Sequence, residues 1–225
     1  MKTKLFFFSF LISLLLLTGC KAKPQSSPSS GKTPSSKKED YVAFSDFWKE
    51  VQKAADQWGG KVYVTKISAY SVGSFPCQQG LANGWEAHIV KCEELKEKKD
   101  FDTQKMETVC RGPLKQVALM ALPILEFPKG VSVQDDDFPY YGPAVELDQI
   151  KIGAAEAEEK ANAYKNYQPT GNEDYVYALK IERFGNIPIW NIQKQCRLGA
   201  DESECQSADH WGVYVNATTG EIITD

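Results

Sequence analysis

The chain has 225 residues, 42% of them hydrophobic and 12% aromatic, with 26 basic against 30 acidic side chains and a formal net charge of −4. Seven of the basic and two of the acidic residues fall in the first forty positions, so the remainder carries 19 against 28, a net of −9. That acidic balance disfavours a nucleic-acid partner, while the aromatic content can supply a core for one large domain or two small ones.

Met1 to Lys4 is basic, Leu5 to Leu17 is apolar, and Leu17-Thr18-Gly19-Cys20 closes the run. A charged start, an apolar stretch of about a dozen residues and small residues before a cut are features of an export signal, too short for a stable span. The pattern resembles a bacterial lipoprotein signal with its lipobox. Residues 1–19 are then removed, and Cys20 becomes the first mature residue and carries the acyl chains (palmitate among them). An uncleaved anchor or an ordinary signal peptide is the plainer alternative. Several acyl chains at roughly 0.8 kcal/mol per buried methylene hold a protein to a bilayer without a transmembrane helix. Lys21 stands where inner-membrane lipoproteins often carry aspartate, so the resemblance leans toward the outer membrane, with the protein facing the periplasm or the surface. From Lys21 to Asp40 the chain is rich in Ser, Pro, Lys and Gly with almost no apolar residue, and 20–40 reads as a lipidated, flexible tether. Its five lysines can lie along anionic head groups or simply keep a spacer soluble.

Phe44, Phe47, Trp48, Val51, Ala54, Ala55 and Trp58 recur at helical spacing behind Ser45 as a candidate cap, and Gly59-Gly60 stops the run. Val62–Tyr70 and Gly84–Cys92 read as strands. Leu114 to Leu122 is either a helix started by Pro113 or a buried strand. Ile150, Ala154, Ala157, Ala161 and Tyr164 form a second helical stripe, with Asp148 as its cap. Tyr175 to Phe184 is a strand, Gly185-Asn186 a hairpin turn, and Ile187 to Gln193 the return strand, whose Pro188 argues for a poorly paired edge. Trp211 to Asn216, the turn Ala217 to Gly220 and Glu221 to Thr224 close the chain.

The segment Trp211-Gly-Val-Tyr-Val-Asn-Ala-Thr-Thr-Gly-Glu-Ile-Ile223 resembles the closing strand and turn of a PepSY domain, a cystatin-like fold, over about Val145 to Asp225. The insert from Gln195 to Asp209 departs from the compact family pattern. The resemblance implies a helix packed across an antiparallel sheet, an extracytoplasmic site, and a binding or peptidase-restraining role without catalytic residues. The earlier helix-strand-strand order reads as a diverged copy. The expected fold is therefore α+β, with tandem helix-on-antiparallel-sheet units at 41–144 and 145–225.

With Cys20 acylated, five cysteines remain in an oxidising compartment. Cys196 and Cys205 flank one strand connection, and Cys92 and Cys110 hold matching places in the earlier half. Bridges 92–110 and 196–205 are expected, with Cys77 unpaired or joined to another protein; a pairing of Cys77 with Cys92 or Cys110 is the rival. No metal or cofactor is expected, since no cysteine spacing suits zinc and His88 and His210 stand alone. Asp135-Asp136-Asp137 lacks the spaced ligands of a calcium loop and reads as a solvated turn. Phe138, Tyr140 and Tyr141 beside it form either a partner-binding patch or a buried one, and Pro139 and Pro143 suggest an exposed linker. Asn216-Ala217-Thr218 matches a glycosylation acceptor but reads as turn chemistry. No nucleophile elbow or metalloprotease helix is present in the sequence. The expected function is a membrane-tethered, non-enzymatic envelope lipoprotein that binds a protein partner or restrains a peptidase. The alternative is a small-molecule or lipid carrier, suggested by 26 aromatic residues that could line a pocket.

Overall fold

The apolar stripe from Phe44 folds as helix α1 (Phe44–Trp58), which buries Phe44, Phe47, Val51, Ala54 and Ala55. The computed structural model describes residues 40–71, 77–99, 106–124, 127–169, 173–182, 186–196 and 211–224; the signal, Cys20 and the tether before Asp40 lie outside them. Ser45 is not the cap of α1. Ala43 precedes the helix without a side-chain bond, and the Phe44 amide donates to the Gly80 carbonyl at 3.0 Å. Gly59 ends the helix at φ 69°, a left-handed value that costs glycine least.

Strands follow in chain order: β2 (Val62–Tyr70), β4 (Gly84–Lys91), β5 (Glu94–Lys99), β6 (Met106–Gly112), β7 (Leu114–Met120), β8 (Gly130–Asp135) and β9 (Tyr140–Pro143). The short β1 (Val42–Ala43) and β3 (Leu81–Ala82) pair with each other, and β10 (Val145–Glu146) lies on β2. Helix α2 (Ala154–Tyr164) precedes β11 (Glu173–Glu182), β12 (Ile187–Cys196), β13 (Trp211–Asn216) and β14 (Ile222–Ile223).

The expected tandem of helix-on-sheet units is corrected by the sheet itself. The fold is β-rich and mostly antiparallel, with only two α-helices among the described residues. One sheet runs β14-β13-β12-β11-β2-β4-β7-β8 and crosses from the later half of the chain into the earlier one. The junction is the β2–β11 pair, Lys66–Ser68 against Lys180–Ala178. A register shift between Val64 and Lys66 marks a bulge. Below it β2 pairs with β10 through Val64 and Tyr63, and above it with β11, so one strand edge satisfies two partners. Two separate sheets would each leave a strand edge unpaired; joining them completes the ladder and merges the cores.

That merged core holds residues of both helices and of strands from both halves. Trp85 and Trp190 are fully buried at its centre. Phe44 meets the Trp85 ring at 5.2 Å and the Trp190 ring at 5.1 Å between centroids, both edge-on. Each indole also donates: Trp85 to the Val42 carbonyl at 3.0 Å, and Trp190 to the Ile152 carbonyl at 2.8 Å.

Leu114 to Met120 is the strand of the two open assignments, held between β4 and β8. Residues 140–143 are not a linker. They form β9, which pairs with β6 in a separate three-stranded sheet, β5-β6-β9. Cys92 and Cys110 are disulfide-bonded with Cα atoms 5.4 Å apart, tying the end of β4 to β6. Cys77 is free and buried, with 2% of its surface exposed. Cys205 and His210 lie outside the described residues, and so does the 196–205 bridge. The strip at 185–186 is described only from Asn186, whose side chain takes the Thr108 amide at 2.8 Å and donates to the Thr108 and Ala144 carbonyls.

Pro188 does not sit on an edge, because β12 is paired with β11 on one side and β13 on the other. Its carbonyl accepts the Ala217 amide, but it has no N–H to return. The Ala217 carbonyl is thereby left to accept the Lys151 and Ile152 amides at 2.9 and 2.8 Å. Those bonds take the Lys151 and Ile152 amides just after a single 3-10 turn at Leu147–Gln149, so the α-helix begins at Ala154 and not behind Asp148.

Candidate binding surface

Alternation along each strand decides which residues leave the core. Tyr175, Tyr177 and Leu179 of β11 point to the helices and are buried, so Val176, Ala178 and Lys180 face the opposite side. Register carries that assignment across the sheet. Tyr214 stands beside Asn191, Asn191 beside Ala178, Ala178 beside Ser68, and Ser68 beside Glu86. A second row runs Ile189, Lys180, Lys66, His88 and Gln116.

Part of this helix-free face is covered. Tyr63, Val90, Cys110, Leu114 and Ala144 form a small core under the three-stranded sheet. Ala118, Met120, Ile124 and Phe127 form another, with Tyr70 against it. Over β11–β13 the face carries apolar side chains at the surface: Tyr214 is 46% exposed, Val176 37% and Ile187 36%.

At the border between covered and open regions, Glu86 is buried and accepts from Tyr70 Oη on one carboxylate oxygen. His88 Nε2 lies 2.5 Å from the other. Burial pushes the Glu86 carboxyl up, but the His88 and Tyr70 hydrogen bonds and the nearby Lys66 charge outweigh it and leave the group below its ordinary range. His88, which the sequence leaves isolated, is therefore a satisfied partner of a buried carboxylate. Such a carboxyl, lower in the folded than in the unfolded state, contributes stability above the ordinary carboxylate range and loses it as pH falls through its folded pKa. Glu86→Gln is expected to lower stability near neutral pH by about 1 kcal/mol, through loss of charge on two hydrogen bonds, and by less at about pH 3. Equal losses at both pH values in urea melts would refute that origin.

A second polar network lies beneath α2. Tyr177 Oη donates to Glu158, Tyr175 Oη to Asn162 at 3.0 Å, and Tyr167 Oη to Glu173. Burial raises the Glu158 carboxyl, against the Tyr177 bond and the backbone amides of Gln79 and Gly80. Lys194 Nζ stands 3.8 Å from the Tyr167 ring centroid. The adjoining groove, about 510 Å³, is open and bordered by Gln79, Glu158, Asn162 and Tyr167. Burial, with the Asp174 charge, lifts the Cys77 thiol to about 12 and makes it a poor nucleophile.

The acidic turn is engaged locally. Asp135 pairs with Lys115 at 2.8 Å, and Asp136 Oδ1 accepts the Phe138 amide. Tyr140 Oη donates to the Pro143 carbonyl, while Phe138 and Tyr141 are exposed. Among the described residues no three histidine, cysteine, aspartate or glutamate side chains gather as a metal site, and no helix is long and apolar enough to cross a membrane. Glu86 and His88, two apart in one strand, were a readable same-face signal; Tyr70, Lys66 and Lys180 join them only through register. No protein-family model, curated protein or solved structure matches the chain.

Proposed function

We propose that the chain is a lipid-anchored, non-enzymatic module of a bacterial cell envelope, held by acyl chains on Cys20 and binding a protein partner across its helix-free sheet face. The observation that supports this reading is the alignment of exposed Tyr214, Val176 and Ile187 on one rigid face, beside Lys66 and Lys180. Apolar side chains rimmed by charge are what a protein interface uses, with an aromatic anchor supplying most of the affinity. A partner surface that is apolar with carboxylates at its rim complements the two lysines. An exported peptidase held in check is one such partner, as the likeness of the closing segment implies. The carrier reading draws less support, because Phe44, Trp85, Trp190 and Tyr177 pack against one another.

Cross-linking in intact cells, with the lipidated protein as bait, tests the proposal. Tyr214→Ala and the pair Lys66→Glu with Lys180→Glu are each expected to reduce capture of a dominant envelope protein at least about tenfold, equivalent to about 1.4 kcal/mol. Unchanged capture by folded variants would sink the assigned face, and capture of abundant neighbours in proportion to copy number would sink the binding role.

A further inference from the structure

Strand edges show how a β-rich protein avoids pairing with other chains. Among the described residues, β14 and β10 have two residues each, β5 carries Lys96, Lys98 and Lys99, and β9 contains Gly142 and Pro143. The first two are too short to template a strand, β5 is charged, and the four-residue β9 ends on Pro143, which has no N–H to donate. The β8 edge has none of these devices. It is a six-residue strand, Gly-Val-Ser-Val-Gln-Asp, and among the described residues it pairs with β7 alone. Val131 is 49% exposed and Val133 47%.

The direction of its free groups follows from one bond. The Asp136 amide donates to the Leu114 carbonyl at 3.0 Å, and the β7–β8 register continues that ladder. By antiparallel alternation Gly130, Ser132 and Gln134 spend their backbone groups on β7, while those of Val131, Val133 and Asp135 point outward.

We propose that β8 pairs antiparallel with β8 of a second copy of this chain, with Ser132 on the two-fold axis. In that register Val131 opposes Val133 of the second copy, and their outward N–H and C=O groups bond. Lys129, just before the strand, opposes Asp135 of the second copy, so two opposite-charge pairs flank four valines. Shifting by two residues in either direction sets a charged residue against a valine. The strand is thus self-complementary in pattern and charge, as an isologous contact requires. One strand is a small seam beside a standard interface, so the dimer is weak and concentration-dependent.

The test is a Ser132→Cys variant of the full chain, oxidised in intact cells and read on non-reducing gels against the unsubstituted chain. Ser132 opposes itself as a non-hydrogen-bonded pair, whose Cα separation of about 4.5 Å falls within disulfide reach. A homodimer band is expected. Adding Val133→Pro, which replaces a valine of the seam and removes an outward N–H that has no partner among the described residues, is expected to cut that band about tenfold. Lys129→Glu, which leaves the Asp135–Lys115 pair intact, is expected to weaken it. Retention of the Cys92–Cys110 bridge in each variant reports that the monomer is folded. A band of another mass, no band, or equal dimer yields from Ser132→Cys with and without Val133→Pro would overturn the proposal.

Discussion

Trp190→Ala is expected to cost about 3 to 5 kcal/mol, a large part of the stability of an ordinary domain. Trp190 is fully buried where the two halves of the chain meet. It packs edge-on against Phe44 of α1 and against Trp85 of β4, with ring centroids 5.1 and 6.3 Å away. Its indole N–H also satisfies the Ile152 carbonyl beside the start of α2. Truncation leaves a cavity that neither helix can fill, since both are fixed by the sheet, and it orphans that carbonyl. Urea unfolding followed by far-UV circular dichroism measures the loss. Trp190→Phe retains most of the ring and is expected to lose less than half as much. A cost below about 1 kcal/mol for the alanine variant would mean that the halves are held by the β2–β11 ladder and not by this core.

Gly80→Ala is expected to cost about 2 to 4 kcal/mol, from two causes that a comparison with Gly59 separates. Gly80 has φ +67°, and a Cβ built there would lie 2.6 Å from the Ala155 backbone nitrogen and 2.7 Å from the Ala155 Cβ. Its carbonyl takes the first amide of α1, and its own amide donates to Tyr177 Oη. The loop is therefore pinned between α1, α2 and the sheet and cannot retreat. Gly59 has φ +69° with nothing within 4 Å of its built Cβ. Gly59→Ala carries only the left-handed backbone cost, roughly 1 kcal/mol. The excess at Gly80 is the overpacking against α2, roughly 1 to 3 kcal/mol. Equal melting midpoints for the two variants would show that α2 moves aside freely.

Both effects bear on how the surface is made. The open face exists because the helices lie together on the other side of one sheet, and Trp190 and Gly80 are where that arrangement is fixed. The same sheet brings Lys66 of β2 beside Lys180 of β11, although 114 positions separate them in the chain. It also sets β8 at the far end, where its outward groups meet no other described strand.

Local periodicity by itself determined several elements. The stripe from Phe44 and the glycines behind it placed α1 at Phe44–Trp58. Alternating β-branched and aromatic residues placed β2 at Val62–Tyr70, and the same signal placed β13 at Trp211–Asn216. Each is a pattern of near neighbours along the chain, and near-neighbour forces suffice to express it. The start of α2 was misread because its cause is distant: Pro188 withholds a donor, and the freed Ala217 carbonyl claims Lys151 and Ile152. Leu114 to Met120 was undecided because only β4 and β8 on either side make it a strand. Of the polar cluster, Glu86 and His88 share a face by strand alternation, a signal passed over when His88 is taken as standing alone, whereas Tyr70 reaches them only because β2 and β4 pair in one register. Tertiary structure alone decided that the two halves share a sheet. Which edge of β2 meets which edge of β11 depends on backbone groups left unpaired after the local strands have formed, and outside proline those groups are the same in every residue type.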